Sequence, residues 1–184
     1  MAKLISLTYG EALFEVALEK DTLNETFEEI KLVKEALGSN KEIIRLLNHP
    51  KISKKEKIQV IENIFQGKVS DDVTGFLVII VEKERYDKID EILDYFIAKV
   101  MEYKKIGVAK ITTALELTKE QEEKLLKKLL DTTKYIQFEI NYKVDPSIIG
   151  GIIIQIGDRV VDGSIKTKLA HFVKKLKKIQ LSDI

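Results

Sequence analysis

Cysteine is missing from the 184-residue chain, which excludes disulfides, thiolate metal sites and cysteine nucleophiles. Tryptophan is absent too, and histidine is limited to His49 and His171, so the usual proton carriers at neutral pH are scarce. An excess of one charge is also lacking. The 31 Lys and Arg against 30 Asp and Glu give a net charge of +1, too little for an overall field that draws a protein to nucleic acid or anionic lipid. No apolar run approaches the roughly 20 residues of a membrane span, and Glu11, Glu15 and Glu19 interrupt the N-terminal segment where a signal peptide needs an apolar stretch. What is present is 45% hydrophobic and 33% charged residues, apolar enough to enclose a core. The composition predicts a soluble, intracellular protein of one large or two small domains.

The first hundred or so residues repeat a cap, an apolar pattern at helical spacing and a stop. Thr22 with Glu25 reads as a capping box opening a helix through Leu23, Phe27, Ile30, Val33 and Leu37, closed at Gly38. Asn40 opens a short helix ended by Asn48, His49 and Pro50, and Ser53 with Glu56 is a second capping box, leading to a stop at Gly67. Ser70 or Asp71 caps the next helix, and Asp87 the one through Ile89, Leu93, Phe96 and Val100. With the N-terminal segment this predicts six helices. Beyond Lys105 the period changes. Residues 135–144 alternate as a half-buried strand, 107–115 suit an earlier one, and Thr118 with Gln121 caps a helix between them. Ile152–Ile156 and Arg159–Val161 flank Gly157 and Asp158, a pair suited to a hairpin turn. Asp162, Gly163 and Ser164 then break the sheet before a last helix, with Ile165, Leu169, Phe172, Val173, Leu176 and Ile179 at core spacing. The expected fold is α+β: a six-helix bundle over 1–105, then a small α/β domain over 106–184 with a short sheet and a terminal helix. Charge divides at the same place, 17 basic against 20 acidic side chains (net −3) before the boundary and 14 against 10 (net +4) after it.

Two helices carry more apolar surface than one core covers. On the first, Thr8, Glu11, Glu15 and Glu19 form one polar stripe, and the remaining arc of roughly 240° is apolar or small, where a surface helix shows a little over 100°. On the fifth, Val73 to Val81 hold no charge at all. Either the fifth helix is the centre of the bundle, or the first and fifth lie side by side and keep a shared apolar groove for a partner's amphipathic helix.

Sites for chemistry are poorly supported. The glycines of residues 145–157 lack the spacing and the Lys-Ser/Thr ending that cradle phosphate. His49 fits a turn, and His171 has no ligand three or four residues away. Ser147 or Ser164 as a nucleophile would need a histidine base and an orienting acid. The acidic residues fall in caps and on helix surfaces, and no carboxylate pair is singled out for acid–base work. No catalytic residue, metal or cofactor is expected. The lysines of the final helix suit a solvated face or an acidic protein partner better than a single-stranded nucleic acid, since stacking aromatics are missing.

The stretch YGEALFEVA near the N-terminus, the ERYDKID segment and above all VDPSIIGGIIIQIGDRVVDGSIKTKL carry a resemblance. Over essentially its whole length the chain resembles the delta subunits of bacterial F-type ATP synthase, equivalent to the mitochondrial oligomycin-sensitivity-conferring protein. The resemblance implies a non-catalytic stator subunit that joins the alpha/beta catalytic head to the peripheral stalk, so that proton-driven torque is coupled to ATP synthesis. It implies a groove for the N-terminal helix of an alpha subunit at Tyr9, Ala12, Leu13 and Val16 on the first helix and Gly75, Val78 and Ile79 on the fifth. It implies a structural motif at Asp145, Ser147, Gly150, Gly151, Gly157, Asp158, Asp162, Gly163 and Ser164. The C-terminal domain would meet the stalk b subunits, with Lys174, Lys175, Lys177 and Lys178 helping to dock it. The implied location is peripheral, on the cytoplasmic side of the bacterial plasma membrane, with no nucleic acid bound and membrane association only through the complex. The alternative is a free-standing helical adaptor or nucleic-acid-binding protein that uses the basic C-terminal helix.

Overall fold

A computed structural model describes the backbone of residues 2–182, and side chains from Leu4 to Lys175 apart from Lys41. Among these residues the fold is α+β, with eight α-helices, a four-stranded sheet and two short 3-10 turns, in two compact units that divide between Tyr103 and Lys104.

The first unit holds α1 (Ala2–Glu19), α2 (Leu23–Ser39), α3 (Lys41–Leu47), α4 (Lys54–Phe65), α5 (Asp71–Glu82) and α6 (Ile89–Tyr103). Its core comes from the predicted apolar faces, with Ile30, Val33, Leu37, Ile61, Leu77, Ile80, Ile92, Leu93 and Phe96 buried. The caps are a mixed result. Ser53 and Glu56 form the expected reciprocal capping box, and the Ser70 hydroxyl accepts from Val73 N–H. Thr22 makes no side-chain cap bond. Its N–H donates instead to Ala17 O (2.9 Å) while Asp21, at φ +56°, donates to Leu18 O, so both residues complete the C-terminal cap of α1 and leave Thr22 outside the extended conformation an N-cap needs. Gly38 does not stop α2, which runs to Ser39. The Asn40 amide closes it by donating to Ala36 O, and therefore does not cap α3. Asp87 lies within a 3-10 turn, Tyr86–Lys88, that leads into α6.

The second unit holds β1 (Ile106–Thr113), α7 (Lys119–Thr132), β2 (Gln137–Val144), β3 (Ile152–Ile156), β4 (Arg159–Asp162) and α8 (Ile165–Ser182). The strand order is β2-β1-β3-β4; β1 pairs parallel with β2 across the α7 crossover and antiparallel with β3, and β3 and β4 form the hairpin. Thr118 and Gln121 make the expected capping box on α7, whose Leu125, Leu126, Leu129 and Leu130 pack on Ala109, Ile111 and Phe138. Strand β2 is less buried than its alternation predicts. Phe138 is covered, but Tyr142 and Val144 are exposed, because β2 is an edge strand and the α7 side chains around Tyr142 are mostly charged, Lys119, Glu122 and Glu123 with Leu126. The larger departure is α8. Ile165, Leu169, Phe172 and Val173 belong to no core: Leu169 is 52% and Phe172 68% exposed. Leu176 and Ile179 lie outside the described side chains.

Candidate functional site

An open apolar groove of about 440 Å³ runs between α1 and α5, lined by Thr8, Tyr9, Ala12, Leu13 and Val16 on one side and by Asp71, Asp72, Gly75, Phe76 and Ile79 on the other. Leu13 and Phe76 are buried and make its floor, whereas Val16 (41%) and Ile79 (46%) are exposed at its walls, beside one another along one contiguous apolar surface. Beyond the end of α1, Lys20 pairs with Asp72 in the first turn of α5 at 2.7 Å, so α1 finishes where α5 begins and the two run in opposite senses along the groove.

Neighbouring helices hold each wall. Gly10 lets α1 approach α6 closely, since a Cβ there would lie 2.5 Å from Tyr95 Cδ1 and 3.3 Å from Ile92 O. One turn of side chains then locks the contact: Tyr95 Oη donates to Glu11 Oε2 (2.6 Å) and Lys99 Nζ pairs with Glu11 Oε1 (2.8 Å). The Lys99 bond, followed by that of Tyr95, holds the Glu11 carboxyl below its ordinary value of 4.5, and Glu11 in turn raises the Tyr95 phenol. On the other wall, Glu29 of α2 accepts from both Ser70 N–H (3.0 Å) and Ser70 Oγ (2.6 Å), and so fixes the residue that caps α5.

Of the residues expected at the groove, Tyr9, Ala12, Leu13, Val16, Gly75 and Ile79 are brought together there. Val78 is not among its lining residues. Thr8, Asp71, Asp72 and Phe76 are additions. Phe76 was recoverable from spacing, three positions before Ile79 on one helix face, but the link from Lys20 to Asp72 spans 52 residues and leaves no local signal.

The motif residues of the second unit assemble into a structural joint. Asp145 accepts from Ser147 N–H (2.9 Å), which holds its carboxyl below the ordinary 3.8, and Ile149 then takes φ +70° and Gly151 φ +78°. A Cβ on Gly151 would lie 2.4 Å from Gly163 O, so this crossing requires glycine twice over, for conformation and for space. Gly163 N–H donates to Ile152 O, and Ile165 N–H to Gly150 O, both at 2.9 Å. Asp162 Oδ1 accepts from Ser164 N–H and Oδ2 from Thr167 Oγ1, while Ser164 Oγ caps Thr167 N–H. Gly157 (φ +55°) and Asp158 make the hairpin turn. The side chains of Lys174 and Lys175 are exposed on α8; those of Lys177 and Lys178 lie outside the described residues.

The geometry is thus an apolar groove, a glycine-dependent joint and a basic helix whose apolar side chains from Ile165 to Val173 are exposed. Among the described residues, no group of three or more His, Cys, Asp and Glu is placed to hold a metal ion, and no helix is long and apolar enough to cross a membrane. The family model for the ATP synthase delta (OSCP) subunit matches residues 5–176. The chain belongs to that family. The chain is 61% identical to the ATP synthase subunit delta of Lachnoclostridium phytofermentans, over 98% of this chain and 100% of that one, and 36% identical to that of Desulforamulus reducens over 94% of each. In fold it is similar to a chain of the Toxoplasma gondii mitochondrial ATP synthase hexamer, with a TM-score of 0.73, 22% identity, and coverage of 93% of this chain and 96% of that one. As a delta subunit the chain is a structural part of ATP synthase and not a catalyst.

Proposed function

We propose that this delta subunit joins the catalytic head to the peripheral stalk by two separate contacts, one on each unit. The groove between α1 and α5, the feature of a six-helix bundle turned outward, receives the amphipathic N-terminal helix of an alpha subunit. The second unit meets the b subunits of the stalk through α8, on the cytoplasmic side of the plasma membrane, peripheral and held there by the complex. As a stator component it keeps the head from turning with the rotor, so that proton flow becomes torque and torque drives ATP synthesis.

The observation that carries this reading is the open groove itself, whose walls are anchored from behind by Glu11 and Glu29 while Val16 and Ile79 stay uncovered. A contact under mechanical load must outlast it. A nanomolar interface is worth roughly 12 kcal/mol, and an apolar stripe laid in a preformed groove supplies such affinity without buried ion pairs. Titration calorimetry with a peptide copying the alpha N-terminus tests it: Tyr9→Asp or Ile79→Asp should weaken binding by at least about tenfold, since a carboxylate is forced against apolar surface, with helicity by circular dichroism unchanged. Unaltered affinity in both variants would remove the groove from the contact.

A further inference from the structure

The groove carries a charge pattern that its apolar lining does not require. On α1, Glu15 is exposed one residue before Val16 and Glu19 three residues after it, so at helical spacing they border the arc of Ala12 and Val16. On α5, Asp71 and Asp72 line one end, and Glu82 is exposed at the other. The only base on the described parts of these two segments is Lys20, engaged with Asp72, until Lys83 at the C-cap of α5. Glu11 is occupied by Lys99 and Tyr95, whereas Glu15, Glu19, Asp71 and Glu82 have no ion-pair partner among the described residues. The helix dipole accounts for Asp71 and Asp72, which sit in the first turn of α5. It does not account for Glu15 and Glu19 in the C-terminal part of α1, where the dipole disfavours carboxylates.

We infer that the groove selects a cationic amphipathic helix, with an apolar stripe that enters between α1 and α5 and Lys or Arg side chains bordering that stripe over Glu15, Glu19 and Asp71. The inference rests on the groove being a helix-docking site, and adds which helix it accepts. Carboxylates on both rims speed the encounter with a basic partner and reject an acidic one, so they act on selection more than on the strength of the final contact.

Three synthetic peptides of equal length test it, titrated by calorimetry into the full chain: one with an apolar stripe flanked by lysines, one with the same stripe flanked by glutamates, and one with the lysines kept and the stripe scrambled. At about threefold per exposed pair, the lysine-flanked peptide should bind at least roughly tenfold tighter than the glutamate-flanked one. That ratio should shrink between about 0.01 M and 0.15 M salt, as the screening length falls from about 30 Å to about 8 Å. A Glu15→Gln/Glu19→Gln variant should lose most of the discrimination. Equal binding of the two intact-stripe peptides overturns the charge inference and leaves the groove as a docking site. Failure of every peptide to bind, or equal binding of the scrambled one, overturns the docking reading and this inference with it.

Discussion

Gly10 and Gly75 differ in what surrounds the missing Cβ, and the difference separates stability from function. At Gly10 the space is taken: Tyr95 Cδ1 and Ile92 O would crowd a methyl group, and Tyr95 cannot swing aside without releasing Glu11. At Gly75 nothing lies within 4 Å. Gly10→Ala should therefore cost about 1–3 kcal/mol of stability by overpacking the seam between α1 and α6, read as a lower denaturant midpoint at unchanged slope. Gly75→Leu should behave oppositely. Replacing glycine inside a helix removes a penalty of roughly 0.8–1.0 kcal/mol, so the fold is as stable or more so. The new side chain occupies the groove, and affinity for the alpha N-terminal peptide should fall by about tenfold or more. A Gly75→Leu protein that melts early, or that binds the peptide at wild-type affinity, would contradict the account of the groove as a preformed space.

At the scale of elements, caps explain both what was legible in the chain and what was not. Ser53 with Glu56 and Thr118 with Gln121 were readable because a capping box is a contract among residues three apart, closed before any tertiary contact forms. Thr22 with Glu25 has the same letters, but only Lys20 and Asp21 separate it from α1, and the cap of the preceding helix sets its backbone. Both that cap and the end of α5 at Glu84 use non-glycine residues at φ +56°, so glycine punctuation missed them. The groove was partly legible, since an apolar arc too wide for one core shows in the spacing of α1, whereas α5 is apolar from Val73 to Val81 apart from Thr74 and Gly75, so spacing alone does not pick out the face that lines the groove. The start of α8 offers a test at this scale. Hydrogen bonds from Ser164, then Thr167, hold the Asp162 carboxyl below its ordinary 3.8. A lowered carboxyl stabilises the fold above the unfolded value and loses that contribution as pH falls through the folded one. Amide protection at Ser164 and Thr167 should thus decline as pH drops below about 3.8, and Asp162→Asn should abolish that dependence. Protection that persists in the wild type through this range would show that the Asp162 bonds do not hold the joint.

For the molecule as a whole, the two units spend their apolar surface differently. The first closes a core and leaves a groove open; the second covers one sheet face with α7 and leaves the described part of the α8 stripe, Ile165 to Val173, exposed. The near-zero net charge conceals the same division, an acidic first part and a basic second part, and it is the second that carries exposed lysines beside exposed Leu169 and Phe172. Ile165, Leu169, Phe172 and Val173, the large apolar side chains described on α8, are all exposed, so they contribute little to the stability of their own unit. Truncation after Lys168, which keeps the Ser164 cap and the bond from Ile165 to Gly150, should therefore change the stability of the second unit by less than about 1 kcal/mol, a shift of under roughly 4–8 °C for a unit of this size. The same truncation should abolish recovery of the b subunits when the full complex is extracted in mild detergent and purified through this chain. Neutralising Lys174, Lys175, Lys177 and Lys178 in the full-length chain should weaken that recovery in a salt-dependent way, because exposed charges act within a screening length of about 8 Å at 0.15 M. A large drop in thermal midpoint on truncation, with stalk recovery intact, would place α8 in the core of its own unit and assign the stalk contact elsewhere.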